Sequence, residues 1–162
     1  MKIETTLDID APASAVWHVL GEQFGDVAEW SDAIRKSSLD RPLGKGAVRT
    51  CDLKAFGPVP AGQITEELTQ FDRGSRSLTY VVRSGVPRFM RFVENAWTVE
   101  AHNERRSTVT SRATFHLAWW VLPLFPLFRI QLGRGLRSFV GELKKTVAGS
   151  SELVRPADAR AC

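Results

Sequence analysis

The stretch 63–72, QITEELTQFD, holds two adjacent carboxylates that a strand would send to opposite sides. In an extended chain successive side chains alternate between the two faces. Ile64, Glu66 and Leu68 therefore share one face, and Glu67 takes the other. Turning Glu66 outward would expose both apolar neighbours, so the pattern carries it inward. A carboxylate removed from water is costly unless it is hydrogen-bonded or protonated. Two readings follow. Glu66 is a polar anchor or general acid/base with a pKa raised by burial, or it is a strand-edge glutamate reaching solvent near a bulge.

Asn95 and Tyr80 are the polar residues best placed to join it. A turn around residues 102–106 pairs Trp97 with Ser111, Asn95 with Ala113 and Val99 with Val109. Val93, Asn95, Trp97, Ser111, Ala113 and Phe115 then point inward, and Glu94, Glu100 and Arg112 point to solvent. Leu78, Tyr80 and Val82 share a face in the preceding hairpin, as do Cys51, Leu53 and Ala55 in the strand before it. Asn offers a donor and an acceptor, and Tyr a hydroxyl. Together they can orient a carbonyl or phenol in an otherwise apolar pocket, or they simply pack in the sheet. Ser111 makes room, and Trp30 and Trp97 are core residues or ligand platforms. His18, His102 and His116 have no metal-ligand spacing and carry no expected catalysis. No metal or cofactor is expected, since no P-loop, dinucleotide fingerprint or Ser-His-Asp set is present.

These side chains require a sheet to hold them and an apolar element to cover it. The chain has 162 residues, 43% hydrophobic and 25% charged, which suits one domain with its own core. The net charge is +4, but Lys and Arg are scattered, without zinc-finger spacing, an RNP motif or basic heptads. Nucleic acid is not an expected partner. Cys51 and Cys162 make no disulfide framework, and the polar start MKIETTLDID is no signal peptide, so a cytoplasmic location is expected. The domain is placed at 1–149, and residues 150–162 are expected to form a flexible tail.

The element order is readable. IETTLDID alternates as a strand, APASAVWHVLGEQF and GDVAEWSDA read as two short helices, and six further strands follow through STVTSRATFHL. A last helix is predicted over 125–147, its apolar stripe built from Leu132, Leu136, Phe139, Val140, Leu143 and Val147. Strands joined by tight turns make an antiparallel sheet, giving an α+β fold. The apolar run 118–128 is too short to span a bilayer and is broken by Pro123 and Pro126. It is a strand end and helix start, or an apolar rim beside a ligand entrance that touches a membrane surface.

Four stretches carry a family resemblance: IDAPASAVWHVLGEQFGDVAEW, PAGQITEELTQFD, the paired NAWTVEA and STVTSRATF, and LRSFVGELKK. The chain to about Val147 resembles the SRPBCC, or START and Bet v 1-like, helix-grip superfamily, which includes bacterial polyketide cyclases and dehydratases. The resemblance implies a seven-stranded curved antiparallel sheet gripping a long C-terminal helix, with a sizeable cavity between them. It implies a small hydrophobic or aromatic ligand, with no metal or nucleotide. Thr65-Glu66-Glu67-Leu68 is similar to a Thr-Glu-x-Leu pattern in plant abscisic-acid receptors, which implies a cavity role for Glu66. The loop AFGPVPAG, with Val59, resembles their gate loop in position. SGVPRFMR takes the place of their latch but lacks its His-Arg-Leu element, so a phosphatase partner is not implied.

The expected ligand wall is then Trp30, Cys51, Leu53, Ala55, Val59, Ile64, Leu68, Val82, Val93, Trp97, Ser111, Ala113, Phe115, Phe128, Leu132 and Leu136, with Glu66, Asn95 and Tyr80 as the candidate chemical groups. A cyclase or dehydratase would use Glu66 for proton transfer, while Asn95 and Tyr80 hold a carbonyl oxygen. A carrier for a lipid, quinone or hydrophobic metabolite would only bind in the same pocket. An interaction module packing its sheet on a partner subunit is the third class, because fold does not fix function.

Overall fold

The computed structural model describes residues 1–55 and 60–153, with side chains other than those at 122, 124, 125, 127–129, 132, 136 and 148–153. Its first strand, β1 (Lys2–Ile9), is followed by α1 (Ala13–Trp17), a π-helical turn His18–Glu22 and a 3-10 helix Phe24–Glu29. Pro12 precedes α1 with its φ at −58° and ψ at 142°, an extended conformation that leads into the first turn. Six strands come next: β2 (Ile34–Leu39), β3 (Val48–Leu53), β4 (Gly62–Asp72), β5 (Ser77–Ser84), β6 (Met90–Asn103) and β7 (Arg106–Leu117). A 3-10 helix, Trp119–Leu124, then leads into α2 (Phe125–Leu153).

The seven strands form one antiparallel sheet in the order β1-β7-β6-β5-β4-β3-β2. Turn chemistry fixes the hairpins. After β4 the Asp72 Oδ1 accepts hydrogen bonds from the Gly74 and Ser75 amides, at 2.8 and 3.2 Å, an Asx turn. Between β6 and β7 the register is the one that alternation predicts, with Trp97 opposite Ser111, Asn95 opposite Ala113 and Val99 opposite Val109. Irregular pairing between β4 and β5, at Thr65/Glu66 and at Leu68/Gln70, adds local bend and twist to the sheet.

The concave face is closed by α2 and the elements after β1. Val140, Leu143 and Val147 of α2 are buried with Val16, Trp17, Leu20 and Phe24, and with Leu68, Leu78, Trp97 and Val99 of the sheet. Each such aliphatic burial contributes about 1.5–3 kcal/mol against leaving the side chain in water. This is the helix-grip arrangement. The helix continues to Leu153, beyond the predicted end at Val147 and four residues into the segment expected to be a tail. Gly149 and two serines are weak helix formers, but no proline stops the helix before Pro156. Residues 154–162 lie outside the described residues.

Candidate functional site

Arg49, Cys51 and Leu53 share a face of β3, and Arg49 stands directly opposite Glu66 of β4. Both side chains are almost wholly buried. The Arg49 Nη2 and Nε reach the Glu66 Oε2 at 2.6 and 2.8 Å, and Nη1 donates to the Phe24 carbonyl oxygen at 2.7 Å. The Phe24 ring lies 3.8 Å from the guanidinium Cζ, and the Tyr80 ring lies 5.4 Å away, so the cation also meets two aromatic rings. The Cys51 thiol makes a weak 3.7 Å contact to the same Oε2. All of these contacts fall on one oxygen. Oε1 has no hydrogen-bond partner among the described residues.

Beside this pair lies a second polar chain. Ser111 donates to the Asn95 Oδ1 at 2.9 Å, and the Asn95 amide donates to the Tyr80 hydroxyl at 3.4 Å. Cross-strand pairing brings them together: Tyr80 is opposite Asn95, and Leu68 is opposite Tyr80. Charge states follow from the surroundings. Burial pushes Tyr80 up to about 12, and the nearby Glu66 charge adds to the shift. Burial likewise pushes Cys51 up to about 12, which leaves it a thiol and a poor nucleophile. For Arg49, burial is the largest influence and acts against the charge, but Glu66, Cys51 and Tyr80 together outweigh it and the net shift is upward.

Between this polar wall and α2 is a small space lined by Phe24, Trp30, Arg49, Tyr80, Trp97 and Phe139, together with Leu20, Val27 and Leu78. Its volume is about 10 Å³, room for roughly one water. The expected cavity wall at Phe128, Leu132 and Leu136 lies outside the described side chains, and Phe139 of α2 forms part of the wall of this smaller space. Its ring centroid is 4.6 Å from that of Trp30 and 5.7 Å from that of Trp97. Trp30 Nε1 is buried and has no hydrogen-bond partner among the described residues, which is uncommon for a buried indole.

The predicted site residues divide into groups. Tyr80, Trp30 and Trp97 line this space, whereas Glu66, Asn95 and Ser111 do not: Glu66 is tied to its wall through Arg49, and Asn95 and Ser111 through Tyr80. Cys51 and Ile64 form a neighbouring cluster with Val27 and Ile34, against which Leu53 and Val82 pack, and Leu68 is core. Val93, Ala113 and Phe115 belong to another cluster with Ile3 and Met90 and do not line the described space. Ala55 is exposed. β3 ends at Leu53, so alternation no longer governs that position. Val59 lies outside the described residues. Phe128, Leu132 and Leu136 are in α2, but their side chains lie outside the description.

Sequence reasoning missed Arg49, Phe24 and Phe139. Arg49 was within reach: it sits two residues before Cys51, so the same alternation carries it inward. It supplies the hydrogen bonds that a buried Glu66 carboxylate requires. The bulge at Thr65/Glu66 is real, but it does not bring Glu66 to solvent, since the residue is 5% exposed.

Residues 1–148 match the family model described as polyketide cyclase / dehydrase and lipid transport. The chain belongs to that family. No curated protein matches it. Among solved structures, this polyketide cyclase/dehydrase and lipid transport domain is similar to a norcoclaurine synthase point mutant from Thalictrum flavum in complex with a transition-state analogue. They are 17% identical, with a TM-score of 0.74 over 93% of this chain and 96% of that one. The same plant's enzyme in complex with dopamine and hydroxybenzaldehyde is 18% identical, with a TM-score of 0.69 over 92% and 87%. A START superfamily protein from Mycobacterium smegmatis is 10% identical, with a TM-score of 0.75 over 91% and 97%. At these identities the likeness establishes the family's fold and not an activity.

Proposed function

We propose that the protein binds a small hydrophobic molecule with an aromatic or polyketide-like ring between α2 and the sheet, and acts on it by acid/base chemistry leading to cyclisation or dehydration. The observation that carries this reading is the aromatic space at Phe139, walled by Arg49, Tyr80 and Trp30, with the Trp30 indole N–H buried without a partner among the described residues and Glu66 paired to Arg49. An aromatic ligand would take the place that the Phe139 ring now fills. The ligand's carbonyl or phenol oxygen would meet the Trp30 Nε1 and the Tyr80 hydroxyl, both protonated donors at neutral pH.

The division of labour within Glu66 supports a proton-transfer role. Oε2 is anchored by Arg49, and Oε1 has no partner among the described residues. Oε1 would remove a proton next to the ligand carbonyl, and the donors around the oxygen would stabilise the enolate charge that develops there. Returning that proton to a departing hydroxide completes a dehydration. A carrier that only binds is the second reading. The exposed indoles of Trp119 and Trp120 favour it, because they suit collection from a membrane.

Native mass spectrometry of the purified protein, followed by titration with hydroxybenzaldehyde and related phenolic carbonyl compounds, tests the binding reading. Retention of such a compound, weakened in Trp30→Phe, is the expected result. If none is retained and none binds, the reading fails. With a turned-over substrate in hand, Glu66→Gln should lower turnover by about 100-fold or more and leave affinity largely intact. A change in affinity with no reaction to lose identifies the carrier.

A further inference from the structure

We propose that the 3-10 helix Trp119–Leu124 and the first turns of α2 form a face that docks on an anionic lipid surface. Trp119 is 77% exposed, Trp120 58% and Ile130 51%, and these are the large hydrophobic side chains left open among the described residues. Two adjacent indoles in water are a poor use of side chains that each carry a large apolar area. Trp is also the residue favoured at the boundary between hydrocarbon and headgroups.

The charge around them has one sign. Ile130 is on the second turn of α2, and Arg134 and Arg137 follow on the same helix face at i+4 and i+7, both exposed. The Trp120 ring meets that of Phe89 edge-on at 6.2 Å. This brings in the end of the β5–β6 loop and the start of β6, where Arg88 and Arg91 are exposed on either side of Phe89 and Met90. None of the four arginines has an ion-pair partner among the described residues. The stretch 117–137 contains no Asp or Glu at all, nor does 85–91. An apolar centre rimmed by unpaired cations matches a surface of acyl chains under anionic headgroups. It does not suit a second copy of the same face, which would set four arginines against four others. No helix among the described residues is long and apolar enough to cross a membrane, so contact would be from one side.

The test is co-sedimentation of the full chain with vesicles of phosphatidylglycerol mixed with phosphatidylcholine, against pure phosphatidylcholine vesicles. The protein should pellet with the anionic vesicles at low salt and be released as salt rises. Trp119→Ser with Trp120→Ser should weaken binding by about tenfold or more. Arg134→Gln and Arg137→Gln should each weaken it by about fivefold. In the wild-type protein, brominated acyl chains in the anionic vesicles should quench part of the Trp fluorescence, which checks the geometry without any substitution. Absence of pelleting at low salt overturns the proposal. So does pelleting that the double Trp substitution leaves unchanged, or a dimer in sedimentation velocity that this substitution abolishes while the wild type ignores vesicles.

Discussion

Arg49 and Glu66 stand directly opposite each other on β3 and β4, and their charged ends meet at 2.6 Å inside the protein. The ring of Phe24 and its carbonyl oxygen complete the enclosure of the guanidinium. Removing one partner would leave a buried charge without compensation, a larger penalty than the pair's net contribution. Glu66→Ala should therefore destabilise the fold by about 3–5 kcal/mol, read as a lower urea midpoint. The double variant Arg49→Met with Glu66→Leu should recover most of that loss, because apolar residues of similar volume need no counter-charge. A double variant as unstable as the single one would show that the site depends on the charges for its fold.

Alkaline pH tests the buried hydroxyl and thiol. Tyr80 is raised from 10.0 and Cys51 from 9.0, each to about 12. Their neutral forms are held in the folded state, while the unfolded chain releases the protons at the lower values. This stabilisation is complete below about pH 9 and is lost as pH rises through the window to about 12. Stability should fall across that range, and Tyr80→Phe and Cys51→Ala should each flatten the fall. Equal slopes in wild type and variants, measured by urea unfolding at several pH values, would count against burial of these groups.

How much of this was readable in the sequence depends on the physical range of each contact. Strand alternation gave the face of Glu66 and the β6–β7 pairs, because period two is a local property. It also placed Asn95 and Tyr80 on one face, where they meet through cross-strand pairing. Ala55 failed because the strand ends two residues earlier, and a strand end leaves little trace in the pattern. The packing of Phe139 on the two indoles was not legible. Helical periodicity puts Phe139 on the apolar stripe of α2, but only tertiary packing sets its ring between Trp30 and Trp97. Arg49 was legible and overlooked, since an arginine in a strand is ordinarily read as solvent-facing.

Gly85 closes β5 against β4 and has a positive φ of 89°. A Cβ there would collide with the Gln63 carbonyl oxygen and stand 2.7 Å from the Ile64 Cα, two backbone neighbours that cannot rotate away. Both the conformation and the space demand glycine. Gly85→Ala should cost at least about 2 kcal/mol and disturb the Ile64 end of β4, next to Glu66. Thermal melting checks the stability, and a melting temperature equal to wild type would mean that the strand pair can separate there.

Phe139 offers the most direct test of whether the space between α2 and the sheet takes an aromatic ring. It packs against Trp30 and Trp97, and the cavity beside it holds about 10 Å³. Phe139→Ala removes a phenyl ring from a site walled by aromatic side chains, at a cost of about 3–5 kcal/mol for the lost packing. The vacated volume is lined by Tyr80 and by Trp30, whose N–H is buried without a partner among the described residues. A phenol fits it in shape, and its oxygen can accept from the indole. Phenol should therefore raise the melting temperature of Phe139→Ala in a concentration-dependent way and leave wild type nearly unchanged. Benzene, which matches the ring but accepts no hydrogen bond, should bind about tenfold more weakly. Adding Trp30→Phe should abolish the preference of phenol over benzene. If phenol and benzene rescue Phe139→Ala equally, the indole N–H does not face the ligand, and recognition there is by shape alone.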